Sequence, residues 1–474
     1  MKKGASPLPS DWTYCHECLA KQQKIDRLEE ELARVKAKLR RQERTAKEEP
    51  FGASTPSSKR LVKPSSPEES RKKRGGAAPG HTGCGRTRVQ PEHADEVRRI
   101  HAPAACPECG GALQARGARG RTVHDCAPVR KTTRLFIQEG AWCAHCRKTF
   151  RGTVPGVLPR SNISNAMLAQ AVKWHYHDGL TAGCVSRQLG LGEGTLWGRF
   201  HALARILEPA HRKLLEHYRA GAVKHADETG WRNDGANGYA WGFCTPNTLL
   251  FECRDTRAGR VAQDIFGPAE AHTGTLVVDR YAAYNTFKGN IQYCYEHLKR
   301  EALKVAADHP GDAECASFGA MFSGLLVEAM RLRSVEKDPA RYVEKALALR
   351  RRIERAVSAP ARHPSIQRLQ NIFRENAHRL YHWVRDPAVP AENNRAERAL
   401  RPLVIARKIS FGSQSEQGLR TRSILMSVVN TIALRGGDVV AVIRSLLDAL
   451  VWNSKRSVAD SLFTEGGLIK LSSA

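Results

Sequence analysis

The stretch "VVDRYAAYNTF", residues 277–287, decides the fold. With Leu276 it is an apolar, β-branched run that stops at a carboxylate, Asp279, and then turns polar and aromatic. Such a run, bounded by turn residues, reads as a buried strand, and an acid at its end sits where a sheet presents ligands or caps the next turn. Upstream, "GAVKHADETGW" (221–231), "GYAWGFCTP" (238–246) and "TLLFECR" (248–254) are strand-like runs at hairpin spacing, and "RAGRVAQDIFG" (257–267) is helix-like. Downstream, "IQYCYEHLKREALKVAAD" (291–308) reads as a strand entering a helix. Three hairpin-spaced strands, a helix and two further strands are the order of a mixed α/β core.

Asp227 is expected at the end of the first of these strands, matching Asp279 on a later one. Strands adjacent in one sheet would bring the two acids together, although they lie 52 residues apart (279 minus 227), and they could then share a divalent metal. Alone, each is explained as a cap; paired in a basic chain, they point to metal held near phosphate. A third oxygen ligand is sought in "AENNRAERALRP" (391–402). Glu392 and Glu397 differ by five residues, about 140° around a helix, so both cannot face one site. Glu392 is expected in the first helical turn after Pro390, where the helix dipole already explains an acid. Glu397 shares a partly apolar face with Asn393, Asn394, Leu400 and Val404, which favours it. Its ordinary explanation is a pair with Arg401, and Glu392 and Glu228 stay as alternatives. Cys294 with His297 is too little for a zinc site, whereas His297, Lys299 and Arg300 could orient a phosphate.

Lys and Arg total 76 against 48 acids, a formal charge of +28 over 474 residues, which indicates a polyanionic partner. No apolar run of spanning length is read: "ILMSVVNTIAL" (424–434) is short, and "VVAVIRSLLDALVW" (439–452) is broken by Arg444 and Asp448. The basic start lacks the apolar segment of a signal peptide, so the cytoplasm is expected. Ile25, Leu28, Leu32, Val35 and Leu39 form a short zipper seam in region 1–45. Residues 46–100, rich in Ser, Pro, Gly and basic side chains with a cluster at Arg71–Arg74, read as a flexible basic linker. Within 101–155, Cys106 and Cys109 with Cys143 and Cys146 form two Cys-x-x-Cys pairs, the ligand set of a structural Zn2+ ribbon. Cys15 and Cys18 have no second pair. In 160–215, Val185, Leu189, Leu191 and Leu196 take the core positions of a helix-turn-helix with Gly190 at its turn; the helix from about Glu193, with Trp197 and Arg199, would face DNA.

Taken together, the zipper, "RGGAAPGHTG" (74–83), the cysteine ribbon, the helix-turn-helix, "HADETGW" (225–231), "CYEHLKR" (294–300), "ENNRAERALRP" (392–402) and "RKISFGSQSEQG" (407–418) resemble the insertion sequence 66 family of bacterial DDE transposases. The resemblance covers nearly the whole chain. Arg280 stands where the family commonly has a small residue, and Tyr295, Glu296 and His297 replace its aromatic-Ala-His run. The resemblance implies a multidomain α/β protein with a ribonuclease H-like (retroviral-integrase-like) mixed sheet. That core would run over 216–312 and 389–425, interrupted by a helical insertion at 313–388 and followed by a helical region at 426–474. It further implies catalytic Asp227, Asp279 and Glu397 holding two Mg2+ or Mn2+ ions, and DNA partners comprising terminal inverted repeats and target DNA. A homodimer or larger assembly follows from joining two DNA ends, with accessory proteins of the same element as further candidate partners and no membrane. The competing reading is a non-catalytic zinc-ribbon and helix-turn-helix regulator with a degenerate nuclease core.

Overall fold

The computed structural model describes residues 151–464 without a break, and outside that span residues 28, 90–93, 97, 131–138, 140–143, 145, 147–150 and 467–468. Apart from residues 28, 90–93 and 97, the zipper region and basic linker lie outside the described residues, as do Cys106, Cys109 and Cys146. Cys143 ends strand β1 (Gly140–Cys143), which pairs antiparallel with β2 (Lys148–Arg151).

Three helices follow. Helix α1 (Asn165–Tyr176) is capped by Ser164, whose side chain accepts from the Met167 amide. Thr181 caps α2 (Ala182–Leu189) in the same way through the Cys184 amide. Gly190 ends α2 at φ 59°, a left-handed conformation that glycine adopts without steric cost. Val185, Leu189 and Leu196 are buried and Leu191 is half-buried against them. The next helix, α3, does not stop after a recognition-helix length but runs from Glu193 to Ala220. Leu203, Leu207, Ala210, Leu214 and Tyr218 carry its apolar stripe onward against the sheet.

The sheet has five strands: β3 (Val223–Asn233), β4 (Ala236–Cys244), β5 (Leu249–Arg254), β6 (Thr275–Val278) and β7 (Asn290–Tyr293), in the order β5-β4-β3-β6-β7. The first three are antiparallel neighbours, while β6 and β7 add in parallel, with α4 (Gly259–Phe266) in the crossover. This mixed sheet is compatible with a ribonuclease H-like core. The expectation that Asp227 ends its strand is corrected: it is the fifth of the eleven residues in β3, because "ETGWRN" continues as a hairpin with β4. What ends near Asp227 is the parallel pairing to β6, whose last rung is His225 with Val277.

Strand β4 reads Gly-Tyr-Ala-Trp-Gly-Phe-Cys from 238 to 244, alternating small and large. Since successive side chains point to opposite faces, the large ones share a face: Phe243 meets Tyr218 of α3 and Phe266 of α4, and Trp241 meets Tyr284. The small ones leave the other face shallow. Cys244 there packs with Ala396 and Ala399 of helix α10, which spans Asn394–Ser410.

Between β7 and α10 stand α5 (Tyr295–Asp308), α6 (Ala313–Val335), α7 (Pro339–Ser358), α8 (Pro364–Glu375) and the short α9 (His382–Arg385). Helix α6 is long and apolar enough, by length and composition, to cross a membrane, a run missed in the sequence reading; half of it is buried within the protein. After α10 come α11 (Glu416–Leu434), α12 (Val439–Trp452) and α13 (Val458–Leu462). Helix α11 lies along the edge strand β5, where the hydroxyls of Ser423, Ser427 and Thr431 accept from the amides of Cys253, Phe251 and Leu249 at 2.9, 2.8 and 3.0 Å.

Candidate active site

Continuing the β3–β6 register by two residues from His225 and Val277 sets Asp227 level with Asp279 on neighbouring parallel strands. Laterally paired residues share a face, so both carboxylates rise from the same side of the sheet. Asp227 is also paired with Gly242 across β4. A Cβ at Gly242 would lie 2.8 Å from Leu400 Cδ2, so the α10 leucine fills the space that glycine vacates. Helix α10 therefore docks on the face that carries the acids, with Glu397 one turn before Leu400.

Asn393, just before α10, fastens it there. Its Oδ1 accepts from His225 Nδ1 at 2.9 Å, its Nδ2 donates to the Ala226 carbonyl at 2.8 Å, and its amide donates to Cys294 Sγ at 3.1 Å. Burial lowers the His225 pKa to about 4, so the ring is neutral and Nδ1 carries the proton this bond needs. The Tyr295 amide adds a bond to the Ala391 carbonyl at 2.8 Å. One buried asparagine thus ties the start of α10 to the strand of Asp227 and to the end of β7.

The electrostatics of these acids are unfavourable without a cation. Burial first, then the charges of Glu228, Asp279 and Glu397, raise the Asp227 pKa well above the ordinary carboxylate range. Burial also raises that of Asp279, opposed by its bond from the Tyr281 amide and by Arg257 and Arg280. One oxygen of each aspartate is held locally: Asp227 Oδ1 by the Glu228 amide and Asp279 Oδ1 by the Tyr281 amide, both at 2.9 Å. No described protein donor reaches the second oxygen of either. Glu397 makes no salt bridge to Arg401 or to any other described residue. Its half-buried carboxylate is among the charges that raise the Asp227 pKa. Among the described residues, Asp312, Cys315 and His363 form the group whose ligating atoms all lie within 4.8 Å. Two of them are caps, Asp312 of α6 and His363 of α8, and Cys315 is the residue whose amide donates to Asp312. Asp227, Asp279 and Glu397 do not close that tightly.

The alternatives to Glu397 are otherwise placed. Glu228 has a side chain only 3% exposed; its Oε1 accepts from Arg257 Nε at 2.9 Å and its Oε2 from the Tyr284 hydroxyl at 2.5 Å, so its oxygens are taken. Arg257 lies over the Tyr281 ring at 3.9 Å, making a support beneath the site. Glu392 is not in a helical turn as expected, because α10 begins after it, at Asn394. Burial raises its pKa, opposed by Arg333 and Arg398, and neither aspartate is prominent among the charges that act on it. Lys299 and Arg300 are both paired to Glu296, at 2.7 and 3.5 Å. His297 remains close to Glu397, kept towards the neutral form by burial, with a buried Nδ1 that has no hydrogen-bond partner among the described residues. Cys294 is a buried thiol pushed up to about 12 by desolvation, a packing residue rather than a metal ligand. Trp197 is half-buried against His175, Phe200 and His201, and Arg199 reaches the Arg160 carbonyl and Asn162 Oδ1.

Sequence reasoning missed Asn393, Gly242, Arg257 and Tyr284. For Asn393 the signal was the Asn-Asn pair opening a helix, and for Gly242 the small–large alternation of β4.

The family described as "Transposase IS66 family" matches residues 160–421, more than half of the chain and inclusive of all three acids. The chain belongs to the IS66 family of transposases. It is also 22% identical, over 393 residues, to the uncharacterized protein y4jD of Sinorhizobium fredii, covering 74% of this chain and 75% of that one. Membership in a transposase family makes DNA the substrate class against which this IS66 chain's site is to be understood.

Proposed function

We propose that this IS66 transposase cuts the ends of an insertion sequence and joins them to target DNA, with Asp227, Asp279 and Glu397 as the catalytic carboxylates. The observation that carries this is the level pair of aspartates on one sheet face, over which α10 is pinned by Asn393 and Leu400. Buried like charges with unclaimed oxygens fit divalent cations, since a cation relieves the repulsion that raises the Asp227 pKa. Mg2+ or Mn2+ bound there would ease deprotonation of the attacking oxygen and neutralise charge on the leaving 3′ oxygen.

The chain's own part is positioning. Asp227 and Asp279 hold their free oxygens from strands that cannot move independently, and Glu397 closes the third side from a helix fixed to the strand of Asp227 and to the end of β7. His297, uncharged beside Glu397, offers a ring nitrogen for a phosphate oxygen or water. The same carboxylates serve attack by water and attack by a 3′-hydroxyl, because both displace an oxygen at a phosphodiester. Helices α2 and α3 would recognise the terminal repeats as a helix-turn-helix, and the four-cysteine Zn2+ ribbon would assist. The excess basic charge supplies salt-dependent phosphate affinity. A dimer or larger complex working in the cytoplasm completes the reading.

The test is cleavage of DNA carrying the element's own ends, in Mg2+. Asp227→Asn, Asp279→Asn and Glu397→Gln should each abolish cutting while DNA binding persists. If Glu397→Gln cuts normally and Glu392→Gln does not, the third acid is misassigned; wild-type protein that binds the repeats but never cuts them would favour a regulator.

A further inference from the structure

Away from the carboxylates, a cavity of about 470 Å³ separates α1–α3 from the loop joining α10 to α11. Its lining takes in Ser413, Gln414, Ser415 and Gly418, the heart of the "FGSQSEQG" segment, for which the carboxylate site has no use. Ser415 caps α11, and residues 415, 418 and 422 recur at spacings of three and four, so one face of α11 forms a wall of the cavity. On that wall stands Arg422, 4% exposed. Its guanidinium lies over the rings of Trp231 and Tyr176 at 4.9 and 5.5 Å. Among the described residues Nη1 reaches only the Met426 sulfur, at 3.7 Å, and Nε is buried with no hydrogen-bond partner. Among the described residues no carboxylate pairs with it.

A buried guanidinium lacking a counter-charge is costly, and stacking on two rings recovers only part of its lost hydration. Facing a cavity, beside the amino end of a nineteen-residue helix, it presents two sources of positive potential to one space. The one acid in the lining, Glu193, lies against Gly183 at the start of α2, while Glu416, the first residue of α11, is exposed and outside the lining. We infer that this cavity is an anion site in which Arg422 and the first turn of α11 hold a phosphate of a DNA strand. Trp197 and His201 line the remaining volume, which is large enough for the attached nucleoside. The choice of DNA over free phosphate rests on the transposase reading; the anion chemistry does not.

The experiment uses the full chain, with inorganic phosphate and a short random-sequence DNA duplex as probes. Phosphate, at fixed ionic strength, should raise the melting temperature of the wild type and leave that of Arg422→Met unmoved. The slope of log affinity for DNA against log salt should fall by about 0.9 in Arg422→Met, one phosphate contact, and be retained in Arg422→Lys. Gln414→Glu puts a carboxylate on the exposed rim without touching the core, and should weaken both responses even if Arg422→Met folds poorly. Wild-type responses in Gln414→Glu and Arg422→Met would overturn the site. A lost phosphate response with an unchanged DNA slope would overturn DNA as the occupant. Asp227→Asn should keep both responses, so failure of the catalytic reading and failure of this one are separable.

Discussion

Substituting Gly242 by alanine tests whether α10 is the element that delivers the third acid. The new Cβ would sit 2.8 Å from Leu400 Cδ2 and 3.3 Å from its Cγ. Carbon atoms pack without repulsion from about 3.5 Å, so roughly 0.7 Å must be found. Leu400 is buried and cannot swing into solvent, which leaves α10 to move off the sheet. Overpacking of this kind costs about 1–3 kcal/mol. Glu397, one turn away on the same helix, would shift by up to a similar distance, about 0.7 Å. Catalytic groups tolerate about 0.5 Å, and a displacement of about 1 Å costs on the order of 10²-fold, so a fall in cleavage of about 10-fold or more is expected. Leu400→Ala on its own should cost about 2–5 kcal/mol through the void it leaves. In the double variant the alanine methyl enters that void, so the stability losses should sum to less than their separate values by about 1 kcal/mol or more. Urea unfolding and single-turnover cleavage measure the two effects. Wild-type cutting by Gly242→Ala, with strictly additive stabilities, would refute the docking of α10 through this glycine.

Other expectations follow from the same geometry. In chelator, Asp227→Asn should be more stable than wild type at neutral pH. The native pKa of Asp227 is raised, so its contribution is full below the unfolded value of about 4 and lost as pH rises through the native one; unfolding midpoints measured from pH 4 to 8 should diverge upward for the variant. Mg2+ or Mn2+ should raise the wild-type midpoint and do so much less for Asp227→Asn, read by thermal unfolding with and without chelator. Asn393→Leu strands the His225 ring and the Ala226 carbonyl without partners; a loss of about 2–3 kcal/mol in urea unfolding, with cleavage falling further than stability, is expected. Arg257→Ala leaves Glu228 buried without its ion pair, and the melting temperature should fall more at pH 8 than at pH 5, where the glutamate can take up a proton.

How much of this was legible in the sequence varies with the range of the interaction. Strand runs, the left-handed turn at Gly190 and the burial of Leu189 and Leu196 are short-range patterns, and the chain displays them directly. The continuation of β3 past Asp227 was not, because Glu-Thr-Gly-Trp-Arg-Asn becomes strand through pairing with β4 rather than through its own pattern. Glu392 looked helical after Pro390, yet the asparagine that follows spends its side chain on a distant strand and delays the helix to Asn394. The partners of Lys299 and Arg300 lay in plain sight as Glu296, at helical spacings of three and four. Arg422 is the opposite case, since nothing near it in the chain says that it is buried between Trp231 and Tyr176.

The three hydroxyls that α11 sets along β5 also limit how the sheet can grow. Rungs on a helix recur every four residues, about 6.0 Å, whereas alternate strand amides recur every 6.8 Å or so, and the two rulers drift apart by about 0.8 Å per rung. Three rungs accumulate about 1.6 Å of slip, and at the next helical positions the hydroxyls give way to Leu419 and Arg435. The margin is therefore sealed by a vernier that is good for one short strand and no longer. No foreign strand can zip on there, which directs any self-association of the protein to other surfaces.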